Sequence, residues 1–413
     1  MSEITVDPSR LKKANATVLR EVITDVTELK TDALGLYQGL AGQLLYLVCQ
    51  RESDSPRDLQ RAIEVGIDRV LAGLESTSLD ASFAGGISGI GWVLQFIINH
   101  DKECCLGRYD AGDLVEIDEA LCAYVAPTPW KFDFDLVSGL VGIGIYALRR
   151  REFVSGQHLI AQVVHQLAAS AVGDQQECAW RTPQPTLDRK LRLSGLQLDH
   201  LASIDLGLAH GVPGVIALLS KCVTSGVQTD VARPLLSRAV TWVLRRRLSS
   251  NALSSFSVSA DRYDSSRVAW CYGDPGVALS LFLAARSLGD ISLQNIASEI
   301  AVKSAGRRHS GHGIVDACYC HGSAGLAQLY RRMYQMSGDK CLSFASDHWL
   351  NETLKFGTGE SADGGYAYPR SKGGRFHHMP SQALLEGIIG TGLVLSSPKN
   401  DDFGDWDEAL LTS

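Results

Sequence analysis

The sequence predicts an all-α fold, an α/α toroid in which seven inner helices are ringed by seven outer helices. Three observations predict it. The pattern Gly-x-x-Gly occurs seven times, and each copy precedes an apolar, helix-like run. The segments between these runs are amphipathic. The intervals between copies, from 47 residues (Gly39 to Gly86) to 72 residues (Gly139 to Gly211), each have room for two helices and their loops. The glycine pairs are Gly39/Gly42, Gly86/Gly89, Gly139/Gly142, Gly211/Gly214, Gly273/Gly276, Gly322/Gly325 and Gly387/Gly390.

The runs that follow the glycines are apolar on nearly every side, which is typical of helices buried all round. Examples begin at Gln43, Trp92, Val215, Val277 and Leu326. The glycines stand at the starts of these helices, where the backbone approaches its neighbours closely. Repeats of this kind bury their apolar faces only by stacking on one another. We therefore expect the seven glycine loops to meet at one end of a closed barrel. An open superhelical solenoid is the alternative arrangement.

An intervening segment such as 59–71 carries apolar residues at helical spacing with charges between them, as an outer helix requires. The longest interval contains a polar stretch, about residues 172–204, with Pro183 and Pro185 and strand-like alternation near its end. We expect a small inserted subdomain there, with a long surface loop as the alternative. The repeats otherwise predict that residues 1–413 form one toroid domain.

Composition restricts the class of protein. The chain has 413 residues, a net charge of −7 and basic runs of only three residues, so a nucleic-acid-binding role is disfavoured. Its ten cysteines are scattered, and the first residues lack the basic and apolar parts of a signal peptide. No apolar stretch approaches the roughly 20 residues of a transmembrane helix. These features predict a cytoplasmic protein with reduced thiols and no transmembrane segment.

The clearest candidates for a metal site are Cys271, Cys320 and His321. Two thiolates and an imidazole suit Zn²⁺, and three protein ligands leave a fourth position for water or substrate. Cysteines also fill buried space, so structural packing is the alternative. The register favours the metal, because Cys271 and Cys320 each lie two residues before the first glycine of their repeat. Equivalent positions in adjacent repeats of a ring face the same centre.

Four further residues are candidates for chemistry at that centre. His210 stands directly before Gly211, as His321 does before Gly322, and could exchange a proton near neutral pH. Asp135 precedes Gly139 by four residues, and helix capping is the structural alternative to a catalytic role for it. Arg267 and Tyr272 flank Cys271 and could stabilise a developing negative charge, or simply pack locally.

Other histidines and cysteines give weaker signals. His309 and His312 precede Cys318 in a glycine-containing stretch and could lie near the centre or in a loop. His377 and His378 follow a Lys-Gly-Gly-Arg sequence that predicts a solvated loop. The spacing alone leaves open whether Cys318 reaches the centre or packs in the core.

Four motifs together resemble the lanthionine synthetase C-like family, the cyclases of lanthipeptide biosynthesis. They are Ala-His-Gly-Val-Pro-Gly at 209–214, Arg-Val-Ala-Trp-Cys-Tyr-Gly-Asp-Pro-Gly at 267–276, Cys-His-Gly-Ser-Ala-Gly at 320–325, and Leu-Leu-Glu-Gly-Ile-Ile-Gly at 384–390. The resemblance spans about residues 35–395. It implies an α-toroid with a small β-containing insertion and no attached dehydratase domain.

The resemblance also implies the chemistry. One Zn²⁺ per chain is held by Cys271, Cys320 and His321, and His210, Asp135, Arg267 and Tyr272 match the family's other active-site positions. The implied reaction is addition of a peptide cysteine thiol to dehydroalanine or dehydrobutyrine, which makes a thioether ring. The implied partners are a dehydrated precursor peptide with its leader, a lanthipeptide dehydratase and an export transporter, the last two placing the protein peripherally at the membrane.

Two other functions stay open at this stage. Glutathione-binding relatives share the zinc motifs, so addition of a small thiol to dehydroamino acids is one alternative. A non-catalytic zinc scaffold that binds a peptide in the toroid mouth is the other.

Overall fold

The computed structural model describes residues 6–52, 55–100, 111–187, 204–357, 365–372, 375–397 and 405–413. Within these ranges the chain forms fourteen α-helices in two layers, as the repeats predict. The inner helices are α2 (Leu40–Cys49), α4 (Ile87–His100), α6 (Leu140–Arg149), α8 (Val212–Thr224), α10 (Asp274–Leu288), α12 (Ser323–Ser337) and α14 (Ile388–Ser396). The outer helices are α1 (Pro8–Thr27), α3 (Arg57–Ser76), α5 (Val115–Val125), α7 (Val154–Ser170), α9 (Thr229–Leu244), α11 (Ile291–Gly306) and α13 (Lys340–Phe356).

The inner helices form a closed ring. Each packs against the next along the chain, and α14 returns to pack against α2. The structure is therefore a toroid, and the open solenoid is excluded. The side chains follow the predicted division: every residue of α2 is buried, whereas α3 buries only one stripe of its surface.

A second ring, made of backbone hydrogen bonds, joins the seven glycine loops at the start of the inner helices. Each loop donates one N–H to the carbonyl of the next loop, over distances of 2.8 to 3.5 Å. The bonds run from Tyr37 to Ala84, Ala84 to Val137, Leu136 to Ala209, Ala209 to Cys271, Cys271 to Cys320, Cys320 to Leu385, and Leu384 to Tyr37. We call the surface enclosed by these loops the mouth.

The second position of each pair must be glycine, because the loop packs closely against the start of the helix that follows it. A Cβ atom added to Gly142 would lie 2.3 Å from the Leu136 carbonyl oxygen and 2.4 Å from the Phe83 Cβ. The same relation to the carbonyl six residues earlier holds for the second glycine of all seven pairs, at 1.8 to 2.5 Å. Side chains are excluded at these positions, which explains why the glycine repeats.

The described chain also contains short antiparallel strands. β1 (Val172–Gly173) pairs antiparallel with β2 (Cys178–Ala179) at the start of the predicted insertion. Residues 188–203, which include the strand-like stretches near its end, lie outside the described residues, so the subdomain and the single-domain assignment stay predictions. β3 (Tyr368–Lys372) and β4 (Arg375–Met379) form a hairpin that was expected as a loop. Two alternating runs around a Gly-Gly pair are in fact a hairpin signal.

The last described segment, residues 405–413, lies inside the ring of inner helices. It contains a 3₁₀-helix, Trp406–Leu410, and residues 409–412 are all fully buried. In the part of the chain that the structure covers, no helix combines the length and apolar character needed to cross a bilayer.

Candidate functional site

The seven residues singled out by sequence come from four consecutive loops of the mouth. Asp135 lies in the loop before α6, and His210 in the loop before α8. Arg267, Cys271 and Tyr272 precede α10. Cys320 and His321 precede α12. The hydrogen-bonded ring joins these four loops edge to edge, so residues up to 186 positions apart (Asp135 to His321) share one side of the mouth.

Cys271, Cys320 and His321 bring their ligand atoms within 4.8 Å of one another. The backbone explains the proximity, because the Cys271 N–H donates to the Cys320 carbonyl at 3.2 Å. Tetrahedral zinc with sulfur at about 2.3 Å separates two thiolates by roughly 3.8 Å. The donor set therefore fits zinc in both chemistry and spacing.

The electrostatics of this cluster favour one thiolate. The hydrogen bond from Cys320 holds the pKa of Cys271 well below its ordinary value against the effect of burial, and His321 and Arg267 act in the same direction. That same hydrogen bond, together with burial, raises the pKa of Cys320. Burial alone would lower the pKa of His321, but its hydrogen bond to Cys271 raises it. Without a metal the negative charge of the cluster is therefore centred on Cys271, and a bound metal would displace the protons that Cys320 and His321 hold.

Arg267, which lies four residues before Cys271 in the same loop, also contacts this cluster. Its Nη2 atom lies 3.4 Å from the Cys271 sulfur, while the residue as a whole is exposed at the mouth. The guanidinium therefore contacts the buried thiol and faces the surface at once.

His210 and Asp135 form a close pair between adjacent loops. The His210 Nδ1 and Asp135 Oδ2 atoms are 2.5 Å apart. Asp135 also accepts the Ser138 backbone N–H at 2.8 Å, so the carboxylate is fixed by its own loop. Its sequence neighbour Asp133 accepts the Thr186 hydroxyl at 2.5 Å. The contact orients the imidazole through its Nδ1 atom, with Nε2 as the other ring nitrogen.

Tyr272 lies beside His210, with ring centroids 6.0 Å apart and nearly parallel planes. Its hydroxyl donates to Asp205 Oδ2 at 3.2 Å. Burial, with the nearby Asp205 and Cys271 charges, raises the pKa of Tyr272, so the hydroxyl is a neutral donor. The sequence reasoning missed Asp205, which holds this donor in place.

A comparison with known proteins agrees with this architecture. The sequence profile described as "Lanthionine synthetase C-like protein" matches residues 30–411. The chain belongs to the lanthionine synthetase C-like family. One relative in the family is the nisin biosynthesis protein NisC of Lactococcus lactis subsp. lactis, 24% identical over 404 residues that cover 92% of this chain and 88% of that protein. The solved structure of nisin cyclase superposes with a TM-score of 0.68 at 19% identity, covering 95% of this chain and 96% of that one. This structural match confirms the toroid fold.

This member of the family also has a second group of possible ligand atoms that shares His321. Asp316, Cys318 and His321 likewise lie within 4.8 Å of one another. Asp316 Oδ1 accepts the Cys318 backbone N–H at 2.9 Å, and burial raises the pKa of the Cys318 thiol. Asp316 was not singled out by sequence. The sequence pattern that could have identified it is an aspartate six residues before the first glycine of a repeat. This position is occupied by Asp80, Asp133, Asp205 and Asp316.

The remaining candidate histidines take local roles. His312 Nδ1 accepts the Ile314 backbone N–H at 3.0 Å, and its ring packs on Trp349. The His309 ring packs against His348. His377 and His378 lie exposed on β4. The contacts that the structure describes for these histidines do not involve Cys271, Cys320 or His321.

Proposed function

We propose that this protein is a zinc-dependent lanthipeptide cyclase. It adds peptide cysteine thiols to dehydroalanine or dehydrobutyrine and so closes lanthionine and methyllanthionine rings. One observation carries the proposal: a three-donor thiol–imidazole cluster and a carboxylate–histidine pair lie in neighbouring loops of one mouth. Membership of the lanthionine synthetase C-like family supports it.

Cys271, Cys320 and His321 are the proposed ligands of one zinc ion. Zinc bound there would lower the pKa of a substrate thiol that takes the open fourth position, so that the thiol reacts as a thiolate. The two cysteine side chains would offset the charge of such an ion, so a substrate thiol activated there would keep its nucleophilic character. Arg267, 3.4 Å from the Cys271 sulfur, balances the negative charge of the ligand set.

The addition forms a bond between the peptide sulfur and the β-carbon of the dehydroamino acid, and it moves an electron pair onto the carbonyl oxygen. The resulting enolate then takes a proton at its α-carbon. We assign that proton to His210 Nε2, because Asp135 holds the opposite ring nitrogen and orients the imidazole.

The enolate oxygen needs a donor while it carries charge. Arg267 is exposed at the mouth and is charged at all working pH values. Tyr272 is a neutral donor beside His210, and its hydroxyl would turn from Asp205 towards the substrate. We assign the two residues this shared role.

The proposed substrate is a dehydrated precursor peptide carrying its leader. The proposed partners are the dehydratase that supplies the dehydroamino acids and the transporter that exports the product. A cytoplasmic protein located peripherally at the membrane would meet both.

The first test is the metal content of the purified protein, compared with that of Cys320→Ala and Cys318→Ala variants. We expect about one zinc per chain in the native protein and in Cys318→Ala, and loss of zinc in Cys320→Ala. Loss in Cys318→Ala with retention in Cys320→Ala would transfer the site to the Asp316 group. Absence of zinc from the native protein would contradict the thiolate mechanism.

The second test separates peptide cyclisation from small-thiol addition and from a scaffold role. The protein is incubated with a dehydrated, cysteine-bearing peptide, with and without glutathione, and the products are analysed by mass spectrometry after alkylation of free thiols. Ring closure without glutathione supports the cyclase. A glutathione adduct on an otherwise linear peptide would favour the alternative enzyme, and binding without any reaction would favour the scaffold.

A further inference from the structure

Residues 405–413, which we call the floor segment, occupy the centre of the toroid beneath the mouth. Its acidic residues pair with cations on the inner helices far from the glycine loops. Asp407 accepts from Arg332 on α12 at 2.7 and 2.8 Å, and Glu408 lies 3.3 Å from Arg149 at the end of α6. These pairs fix one end of the segment.

The other end of the floor segment contacts the mouth loops from below. The Tyr37 hydroxyl donates to the Ala409 carbonyl at 3.3 Å, and the Trp270 Nε1 donates to the Leu410 carbonyl at 2.9 Å. The Tyr319 hydroxyl and Thr412 Oγ1 are 3.3 Å apart. Every donor or acceptor in these three contacts is buried.

Two of these aromatic residues directly precede the candidate metal ligands. Trp270 is followed by Cys271, and Tyr319 by Cys320. Their rings also pack against each other, with centroids 6.0 Å apart and planes at 67°. A side chain locked in this way restricts the backbone of its own residue and therefore the direction of the next Cα–Cβ bond.

We propose that the floor segment positions the metal ligands: its hydrogen bonds to Trp270 and Tyr319 set the separation of the Cys271 and Cys320 sulfur atoms. Trp270, Tyr319 and Thr412 are thus positioning residues. The inference on metal retention rests on the proposed function, whereas the inference on loop geometry does not.

The test uses substitutions that remove hydrogen bonds and keep the ring or the shape. Tyr319→Phe removes the contact with Thr412, and Trp270→Phe removes the bond to Leu410. Thr412→Val removes the same contact with Tyr319 together with the bond that the Thr412 hydroxyl donates to the Asp407 carbonyl at 2.9 Å. Tyr330→Phe is the matched control for tyrosine, because this buried hydroxyl bonds Ser304 at 2.9 Å, away from the mouth. Trp180→Phe is the control for tryptophan, because its Nε1 donates to the Leu167 carbonyl at 2.8 Å.

The first readout is release of zinc to an excess of chromogenic chelator. We expect about tenfold faster release from Tyr319→Phe, Thr412→Val and Trp270→Phe, the scale at which outer partners of a ligand act, and the native rate from both controls. The Tyr319→Phe/Thr412→Val double variant should release zinc no faster than Thr412→Val alone, since Thr412→Val already removes the contact that Tyr319→Phe deletes. Equal release from test and control variants would overturn the proposal.

The second readout needs no metal. Hydrogen exchange of the metal-free protein reports the backbone N–H groups of Cys271 and Cys320, which are donors in the mouth ring. We expect protection in peptides covering 268–273 and 318–323 to fall about tenfold in the test variants and to stay native in the controls. If the native protein holds no zinc, the proposed function fails and this measurement alone decides the positioning role; unchanged protection would refute it.

Discussion

At the scale of single residues, the contact between the side chains of His210 and Asp135 is the most clearly defined feature of the site. Two aspartates, Asp133 and Asp135, lie two residues apart in the same loop, and the sequence singled out Asp135. Asp135 is fixed against the His210 ring, whereas Asp133 bonds Thr186 on the other side of the loop. The contact depends on which carboxylate the neighbouring loop approaches, which is a property of the tertiary structure.

A substitution pair tests this assignment. Asp135→Asn should slow ring closure by about a hundredfold or more, because the amide replaces the carboxylate oxygen that orients the His210 ring for proton delivery. Asp133→Asn should stay within a few-fold of the native rate. The measurement is the initial rate of ring closure on a dehydrated peptide, followed by mass spectrometry, with zinc content determined for each variant. Equal losses from the two variants would show that the loop, and not the pair, is needed.

His210 itself provides the complementary experiment. Replacing it with Asn removes the proposed acid while leaving the thiol cluster intact, so zinc content should be native and ring closure strongly reduced. Ring closure by His210→Asn at the native rate would exclude His210 as the proton donor.

At the scale of elements, the glycine pairs account for where each inner helix begins. All seven inner helices start one residue after the first glycine of a pair. The second glycine lies against a carbonyl of the preceding loop, so the repeat encodes a loop-on-helix packing as well as a helix start. The hairpin of β3 and β4 was not predicted, because the glycine-rich, basic sequence between its runs was interpreted as a loop.

The packing argument makes a prediction about stability. Gly142→Ala should destabilise the protein by about 2–3 kcal/mol, because its new Cβ would overlap the Leu136 carbonyl and Phe83. Gly306→Ala, at a helical position with no heavy atom within 4 Å of the added Cβ, should be neutral or stabilising by up to about 1 kcal/mol. Urea unfolding followed by circular dichroism measures both. A neutral Gly142→Ala would mean that the loop can move away at little cost.

At the scale of the whole molecule, the toroid is closed by contacts between residues from distant parts of the chain. The last inner helix packs on the first, and the floor segment contacts loops or helices of the first, third, fifth and sixth repeats. Asp407 is its fully buried anchor. Burial alone would raise the pKa of Asp407, but the Arg332 charge and hydrogen bonds from Arg332 and Gln328 hold it below its ordinary value.

This lowered pKa links stability to pH. A carboxyl group with a depressed folded-state pKa stabilises the fold above its unfolded pKa, here about 3.8, and that stabilisation is lost as the pH falls through the folded value. Asp407→Ala should therefore cost about 3–5 kcal/mol at neutral pH, since it removes the buried carboxylate that offsets the charge of Arg332. Its stability should also fall less steeply than that of the native protein below about pH 4. Unfolding curves between pH 3 and pH 7 give both quantities; parallel pH profiles would contradict the assignment.

The sequence by itself determined the repeat, the two layers of helices and the seven residues that gather at the mouth. It could do so because the glycine pairs mark a packing constraint at a fixed place in each repeat, and because residues in equivalent places around a ring face a common centre. Only the tertiary structure decided that the ring closes, that Asp205 holds Tyr272, and that residues 405–413 lie beneath the loops that carry Cys271 and Cys320. Those features depend on contacts between segments tens to hundreds of residues apart, which leave no periodic signal along the chain.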